Sequence, residues 1–375
     1  MPFLARPRAA LFGASLIALA SVLAAPTAHA TKYAAEFLKV PVGARAIGMG
    51  GAFTAVADDA TAMWWNPAGM VYLPYREVLP QHAEKFGRLV NHDYLGVVMP
   101  LERTSGKETA IGVGLVRLAV DDIGLTPRPG DLQPGQFLDD GIDGQPSTYD
   151  TGEGDGQWQA GERILSIDFY QASASDLAAY VSYARQYGRH WVFGGSVKFV
   201  RQSIPDTLWG EKATSFGAGV DAALLYMPMD AATIGIVVHD LTTTFLSWNT
   251  GIRELVRPTI DTGVAFNFYP AEKHALTWAT DIGWGFEGRR RDSQLKLGSV
   301  TTEFRTGLEY WYNHTFALRT GANAKDLTFG AGVRYKHLGV DYAASLHRFF
   351  ASDESDFPND QNLDTTHLVS ASVSW

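Results

Sequence analysis

The chain has 375 residues, of which 46% are hydrophobic and 12% aromatic, with 38 glycines and no cysteine. This composition excludes a disordered chain, a collagen-like chain and a disulfide-based scaffold. The net charge of −9 argues against nucleic acid as a partner, because proteins bind that polyanion through an excess of Lys and Arg.

The first 30 residues have the pattern of a signal peptide. Arg6 and Arg8 precede an almost wholly apolar stretch, and Ala28-His29-Ala30 offers the small residues that signal peptidase requires. We therefore predict that residues 1–30 are removed and that the rest is exported. Retention as a membrane anchor is the alternative, but the apolar stretch is too short for a typical membrane helix.

Residues 31–73 do not have a strand pattern. Glu36 to Val40 predicts a short helix, and Ala52 to Met63 has helical composition. Asn66-Pro67 ends that helix, because the residue before a proline avoids the helical region. We predict a small, partly helical hatch in the lumen of the domain that follows, with a periplasmic tail as the alternative. Its candidate hatch and lumen residues are Arg45, Phe53, Asp58, Asp59, Trp64, Trp65, Asn66 and Pro67.

From residue 74 to the C-terminus, apolar and polar residues alternate. In Leu327 to His337, for example, Leu, Phe, Ala, Val and Tyr alternate with Thr, Gly, Arg and Lys, which is typical of a strand with one apolar face. Many runs reach the roughly 9 to 11 residues that a tilted strand needs to cross a bilayer. About fourteen such runs are predicted: 75–84, 92–101, 108–119, 174–187, 190–204, 213–228, 232–243, 257–269, 274–286, 298–312, 315–323, 327–337, 338–350 and 364–375.

This alternation fits two folds. In a soluble β-sandwich the apolar face would form the core, whereas in an outer-membrane barrel it faces lipid. Aromatic residues cluster near strand ends, short turns alternate with longer polar connections, and the chain ends on Trp375, which resembles the barrel-targeting C-terminus of bacterial outer-membrane proteins. We predict an all-β fold for residues 74–375, a transmembrane β-barrel of about 14 antiparallel strands. Its predicted place is the bacterial outer membrane, with outer-membrane lipid and the barrel-assembly machinery as partners.

The segment Gly43 to Gly69 contains the strings GARA, GMGGAF, ADDA and NPAG. It resembles the PorV/PorQ family of outer-membrane proteins, within the wider FadL-like superfamily of hydrophobic-compound transporters. Ser173 to Gly188 and Gly194 to Gln202 fit the same family. The resemblance implies a barrel with an N-terminal hatch that passively transports small hydrophobic solutes. The alternative that it implies is a type IX secretion or surface-assembly component that binds exported protein cargo.

The polar strand faces place charges of both signs in the lumen. These side chains can pair with one another and with the hatch, so a wide water pore is not required; simple filling and solvation of the lumen is the alternative. The residues concerned are Lys198, Asp221, Asp281, Arg305, Glu309, Arg319, Arg334, Lys336 and Asp341. An apolar solute path would use the hatch side chains Phe53, Met63, Trp64, Trp65 and Met70, which we expect to pack as the core of a plug.

The connection from 121 to 163 is long, acidic and rich in glycine. A calcium loop of the EF-hand type has oxygen ligands at positions 1, 3 and 5, Gly at 6 and an acid at 12. Two imperfect copies occur in tandem, with the candidate ligands Asp139, Asp143 and Asp150, and then Thr151, Glu153, Asp155 and Glu162. We predict calcium binding in the 139–162 loop, with a solvated acidic loop as an equal alternative. The rest of the protein requires no cofactor.

Enzymatic chemistry is not expected. The sequence has no His-Glu-x-x-His pattern, no Gly-x-Ser-x-Gly elbow, no phosphate loop and no cysteine nucleophile. His239 and Asp240 are neighbours, but adjacent residues on a strand face opposite sides of the sheet. We therefore predict a protein that is not an enzyme.

Overall fold

The computed structural model describes residues 34–85, 89–125, 137–159, 162–163, 165, 170–205, 212–286, 294–324, 326–347 and 365–375. The predicted signal peptide lies outside these residues. Within the described part of the chain, no helix is long and apolar enough to cross a membrane.

The chain forms one 17-stranded sheet. The strands are β1 (Glu77–Lys85), β2 (Val90–Glu102), β3 (Thr109–Leu125), β4 (Tyr170–Tyr187), β5 (Trp191–Ile204), β6 (Ala213–Met229), β7 (Ala232–His239), β8 (Thr244–Trp248), β9 (Arg253–Val256), β10 (Thr259–Ala271), β11 (His274–Gly285), β12 (Leu295–Leu297), β13 (Val300–Tyr312), β14 (Phe316–Ala322), β15 (Leu327–Tyr335), β16 (Leu338–Leu346) and β17 (Thr365–Ser374). Every pairing among the described strands is antiparallel, including those of β1 with both β2 and β17, so the sheet closes on itself.

Fourteen of these strands form the closed wall, which confirms the predicted barrel. The wall follows chain order except that β7 pairs with β10 and β11 pairs with β13. The remaining strands are the β8–β9 hairpin, which pairs with β6, and β12, which pairs with β13. These three were not predicted separately, because segments of 3 to 5 residues are too short to show a period of two.

The last residue closes the ring. The backbone N–H of Arg76, just before β1, donates to the carbonyl of Trp375 at 3.2 Å, and the Trp375 N–H donates back at 3.1 Å. The predicted terminal residue therefore lies at the seam between the first and last strands. Its role in targeting stays a prediction.

The two faces of the wall have opposite character. The outward side chains are large and exposed, among them Leu115, Phe199, Phe216, Phe266, Trp278, Phe304, Phe329 and Tyr342. The inward side chains include charges that are at most 4% exposed: Lys198, Asp221, Asp281, Glu309, Arg319 and Asp341. A soluble sandwich would bury the apolar face, whereas a barrel in a bilayer exposes it to hydrocarbon. Lys336 differs from its prediction, because it lies in the turn between β15 and β16 and is exposed.

The two ends of the barrel also differ. At one end, called here the short-turn end, tight turns such as the Asn313–His314 turn join consecutive strands; both of its residues have left-handed φ values, 52° and 51°. Longer connections occupy the other end, the long-loop end. An exposed set of aromatic residues surrounds the short-turn end: Tyr187, Trp191, Tyr269, Tyr312 and Tyr335. Such a girdle is typical of the boundary between membrane and water.

Residues 34–73, called here the hatch, lie inside this wall. The hatch has two short α-helices, α1 (Ala44–Gly48) and α2 (Ala62–Trp65), and two 3₁₀ helices at Glu36–Lys39 and Pro67–Tyr72. The helix predicted for Ala52 to Met63 is therefore wrong except for its last two residues. The chain turns instead. The carbonyl of Thr54, which a helix would pair with the N–H of Asp58, accepts from the Asn66 side chain, and the N–H groups of Phe53 and Thr54 donate to a wall carboxylate.

The long acidic connection begins later than predicted. The structure places residues 121–125 in β3, beyond an irregularity in the pairing with β4 between Val120 and Ile123. Asp122 has a φ of 57° there, so one residue bulges while the strand continues.

Candidate functional site

The hatch backbone lies directly against glycines of the wall. A Cβ added to Gly307 would lie 2.2 Å from the carbonyl oxygen of Met49, and one added to Gly194 would lie 2.3 Å from the nitrogen of Ala68. Only a residue without a side chain allows such an approach. The same holds for Gly96, Gly235 and Gly321, which face the hatch from three other strands. The wall is thus shaped to receive this segment on several sides.

Arg45, a predicted hatch residue on α1, is the principal ionic contact between hatch and wall. Its guanidinium donates to both carboxylate oxygens of Glu309 on β13, at 2.7 and 2.8 Å, and also pairs with Asp58. Burial disfavours its charge, but the adjacent Asp58 and Glu309 raise the pKa of Arg45 above its ordinary value. Arg45 is therefore a permanent cation with a bidentate partner.

The network continues through the wall. Arg319 on β14 donates to Glu309 at 2.6 Å and to Asp341 on β16 at 2.8 Å, and Arg334 on β15 donates to Asp341 at 2.6 Å. Glu309 is 1% exposed, so it depends on its two arginines for compensation. The charges predicted for the lumen on these strands therefore pair with one another and with the hatch.

Asp281 on β11 makes a second contact with the hatch. One of its carboxylate oxygens accepts hydrogen bonds from the backbone N–H groups of Phe53 and Thr54, both at 2.8 Å. The Phe53 ring is fully buried and meets the Trp65 ring edge-on at 5.9 Å. The wall thus satisfies hatch backbone groups that no helix satisfies.

The other predicted hatch residues fix the shape of the hatch. The Trp65 indole N–H donates to the carbonyl of Val42 at 2.9 Å. The Asn66 amide donates to the carbonyl of Thr54 at 2.7 Å, and its oxygen accepts from the N–H of Ala68, so Asn66 caps the 3₁₀ helix that begins at Pro67. These side chains hold a segment that has little regular secondary structure.

Asp58 and Asp59 have different surroundings. The Asp58 side chain is 43% exposed, whereas Asp59 is buried, accepts from the N–H of Thr61 at 2.8 Å and lies 3.5 Å from Arg45. Arg45 therefore faces acids of both hatch and wall.

The hatch packs densely near the short-turn end. Met63 and Met70 are at most 1% exposed, as expected for the core of a plug. Arg103, in the turn after β2, donates to the carbonyls of Val71 and Leu73 at 3.1 and 2.8 Å.

A cavity of about 310 Å³ lies between the hatch and the wall. Leu38 and Trp64 line it from the hatch, and Tyr180 and Val256 add further apolar surface. Its polar lining from the wall includes Lys198, His239, Asp240, Asp261 and Arg305. Trp64, predicted as a lumen residue, is half-buried there and contacts Trp65, with ring centroids 4.6 Å apart.

Two ionic groups form the polar side of this cavity. The Lys198 ammonium lies 2.8 Å from both Asp221 and Asp240. Asp261 pairs with Arg305 and lies 3.2 Å from the ring nitrogen of His239. These side chains come from five wall strands and the residue after β7, so sequence spacing gave no signal of the cluster.

The wall changes its pairing beside the cavity. β7 ends at His239, which is paired with Thr259 of β10, and Asp240 then takes a φ of 54°. Our expectation that His239 and Asp240 face opposite sides is wrong, because Asp240 has left the strand, and both residues line the cavity. Among the described strands, β9 pairs only with β8, so the β8–β9 hairpin lies outside the closed wall at this point.

The predicted calcium ligands lie in a loop whose carboxylates accept backbone hydrogen bonds. Asp139 accepts from Gly154 and Gly156, and Glu162 accepts from Gly141 and Gln159. Four further candidates also accept from backbone N–H groups: Asp143, Asp150, Glu153 and Asp155. Thr151 accepts, through its carbonyl, from the N–H of Ile142. Within the part of the chain that the structure describes, no three His, Asp or Glu side chains converge as a metal site.

Comparison with known proteins bears on the fold. The model of an uncharacterised protein family (UPF0164) matches residues 14–105. No curated protein is matched by this chain. The Pseudomonas putida toluene transporter TodX superposes with a TM-score of 0.53 at 14% identity, over 89% of this chain and 98% of that chain. The CymD monoaromatic hydrocarbon channel gives 0.52 at 14% identity, over 90% and 98%. The protein has the fold of these barrels.

Proposed function

We propose that this protein is an outer-membrane barrel of the PorV/PorQ type, within the FadL-like group, that lets small hydrophobic solutes cross the bacterial outer membrane passively. The observation that carries the proposal is the cavity between hatch and wall, in a barrel with the fold of toluene and monoaromatic hydrocarbon channels. Ligand cavities of barrels commonly lie in the lumen, enclosed by the wall.

The character of the wall supports the membrane location. A closed barrel satisfies its backbone hydrogen bonds internally, and its exposed outward face is apolar, as hydrocarbon requires. Lipid is therefore the proposed partner of the outer face, and the barrel-assembly machinery is the proposed route of insertion.

Passage of a solute requires the hatch to move, because the hatch is densely packed between the cavity and the short-turn end. Its charged contacts with the wall, through Arg45 and Asp281, are local ion pairs and hydrogen bonds. Opening the wall instead would break rows of backbone hydrogen bonds. Displacement of the hatch is therefore the less costly movement.

Vesicle uptake tests this function. Plain phospholipid bilayers are themselves permeable to toluene, so vesicles with a lipopolysaccharide outer leaflet are needed, with and without the protein. We expect faster toluene uptake with the protein, and slower uptake when Val256→Trp fills the cavity. The matched control is Val333→Trp, because Val333 lies on the exposed outer face, and this variant should leave the rate of toluene uptake unchanged. Equal uptake with and without the protein would refute transport, and capture of exported proteins by the barrel would then favour cargo binding.

Two further roles are proposed from the sequence. Calcium binding in the 139–162 loop is supported by the tandem spacing of its oxygen-bearing side chains. A targeting role for Trp375 is supported by the resemblance of the chain terminus to those of outer-membrane proteins.

A further inference from the structure

The cavity beside the hatch also indicates the class of solute, an inference that rests on the proposed transport function. The acids outnumber the bases in and just behind its lining. The lining acids are Glu36, Asp240, Asp261 and Glu303, and the lining bases are Lys39, Lys198, Arg305 and His239. A further acid, Asp221, lies behind the lining on Lys198.

Each of these bases already pairs with a carboxylate. Lys39 lies 3.4 Å from Glu36, Lys198 lies between two aspartates, and Arg305 pairs with Asp261. An entering anion would have to compete with these carboxylates, and it would meet a surplus of negative charge. A solute with a carboxylate is therefore disfavoured.

The apolar part of the lining suits a small ring. At about 310 Å³ the cavity is at the lower end of the range for ligand sites. The half-buried Trp64 ring and the His239 ring, 6.4 Å apart between centroids, lie on one side. Tyr180 and the aliphatic side chains Leu38 and Val256 also line the space. Aromatic surfaces of this kind pack well against another flat ring.

A pure hydrocarbon does not match the rest of the lining. The carboxylates, the Lys198 ammonium and the hydroxyls of Thr259 and Thr301 line the same space, and water that solvates them would have to leave. A solute that carries its own hydroxyl or amide replaces those hydrogen bonds, whereas a hydrocarbon leaves the polar groups less well satisfied.

We propose that the cavity selects a small, uncharged solute that joins an aromatic ring to a hydrogen-bonding group, as a phenol does, and that it rejects carboxylates of the same size. Three probes that share one methylphenyl ring test this: toluene, p-cresol and 4-methylbenzoate. Calorimetric titration of the purified full-length protein in detergent at neutral pH should show p-cresol binding at least about tenfold more tightly than the other two. Equal or tighter binding of toluene or 4-methylbenzoate, or binding of none of the three, overturns the proposal.

Variants assign the selectivity to the cavity. Glu303→Gln removes one lining acid and should raise the affinity for 4-methylbenzoate several-fold, with little change for p-cresol. Glu272→Gln, in the exposed turn after β10, is the matched control and should alter neither affinity. Val256→Trp should abolish p-cresol binding. A shift in gel mobility on boiling verifies that each variant forms the barrel. An unchanged affinity for 4-methylbenzoate in folded Glu303→Gln, or undiminished p-cresol binding in folded Val256→Trp, overturns the assignment.

The vesicle assay separates this inference from the transport function. Faster uptake of p-cresol than of toluene, relative to vesicles without protein, supports both. Uptake of toluene at an equal or greater rate overturns the selectivity and leaves transport standing. Selective binding in detergent without uptake of any probe overturns transport and supports the selectivity of the cavity.

Discussion

Replacement of Arg45 by Met should loosen the hatch without opening the barrel wall. Met has a similar length but cannot donate to Glu309 or to Asp58. The wall strands keep all of their backbone pairing, so the expected effect is confined to docking of the hatch. Release of the hatch is the movement on which the proposed passage of solute depends.

The free-energy cost of Arg45→Met depends on what still compensates the charges of Glu309 and Asp58. Removing one member of a buried ion pair costs about 3–5 kcal/mol, mainly because the other charge is left uncompensated. Glu309 keeps Arg319 at 2.6 Å, and Asp58 is 43% exposed to solvent. We therefore expect a cost near the lower limit, about 3 kcal/mol. This corresponds to roughly a hundredfold increase in the undocked fraction of the hatch.

A cysteine introduced at a buried position of the hatch would report undocking. The chain has no cysteine, and Ala52 in the hatch is fully buried, so Ala52→Cys provides a single thiol that reacts only when the hatch moves. When reclosing is fast, the rate of labelling by a polar maleimide follows the undocked fraction. Arg45→Met should raise that rate roughly a hundredfold. Adding Glu309→Gln removes the uncompensated charge and should lower the rate again, since the two residues are coupled.

The control is an exposed pair of similar chemistry. Arg117 lies 3.1 Å from Asp93, and both side chains are more than a third exposed. Exposed pairs contribute about 0–1 kcal/mol, so Arg117→Met should leave the labelling rate nearly unchanged. A labelling rate for Arg45→Met within twofold of the parent would refute the view that this ion pair holds the hatch.

Three other changes test separate features. Gly307→Val should prevent the hatch from seating against Met49, at a cost of at least about 1–3 kcal/mol, and accelerate thiol labelling; an unchanged rate would show that the wall adjusts freely. Asp281→Leu should leave two hatch N–H groups without an acceptor, at about 1–3 kcal/mol each, whereas Asp281→Asn keeps an acceptor oxygen and should label more slowly than the leucine variant. Calorimetric titration of the full chain with millimolar calcium should give heat that Glu162→Gln reduces; absence of heat in the parent protein would contradict calcium binding.

The barrel could be predicted from the sequence because the alternation of apolar and polar residues in a strand is a local pattern. A run such as Leu327 to His337 shows its two faces within a few residues, so strand position follows from a period of two. The structure of Ala52 to Met63 could not be predicted in this way. Its residues favour a helix, but the carbonyl of Thr54 accepts from the Asn66 side chain, and Asp281, more than two hundred residues later in the chain, accepts from the N–H groups of Phe53 and Thr54. Tertiary contacts outweigh helix propensity in such a segment.

In the candidate site, too, contacts between residues that are distant in sequence could not be predicted. The motif that Arg45 and Trp64 share predicts both residues, but it does not predict their partners. Glu309 is 264 residues from Arg45 in sequence, and the β7 break that brings His239 and Asp240 to one cavity depends on a left-handed residue that no strand pattern indicates. The polar positions on the strands predict which charged side chains face the lumen. Which of these side chains pair with one another depends on the register of the closed sheet, which the sequence does not show.

The inward-facing glycines of the wall have a role that the strand sequence does not show and that the contacts with the hatch do. In an alternating strand, a glycine on the polar face is simply a small residue, and the sequence offers no reason to distinguish it from a loop glycine. In the barrel, Gly194, Gly235 and Gly307 lie against the hatch backbone, where a single methyl group would clash. A lumen that only held water would tolerate alanine or serine at these positions. The absence of side chains there therefore argues that the wall is fitted to this hatch, and that any solute route is set by the movement of one segment rather than by the width of the pore.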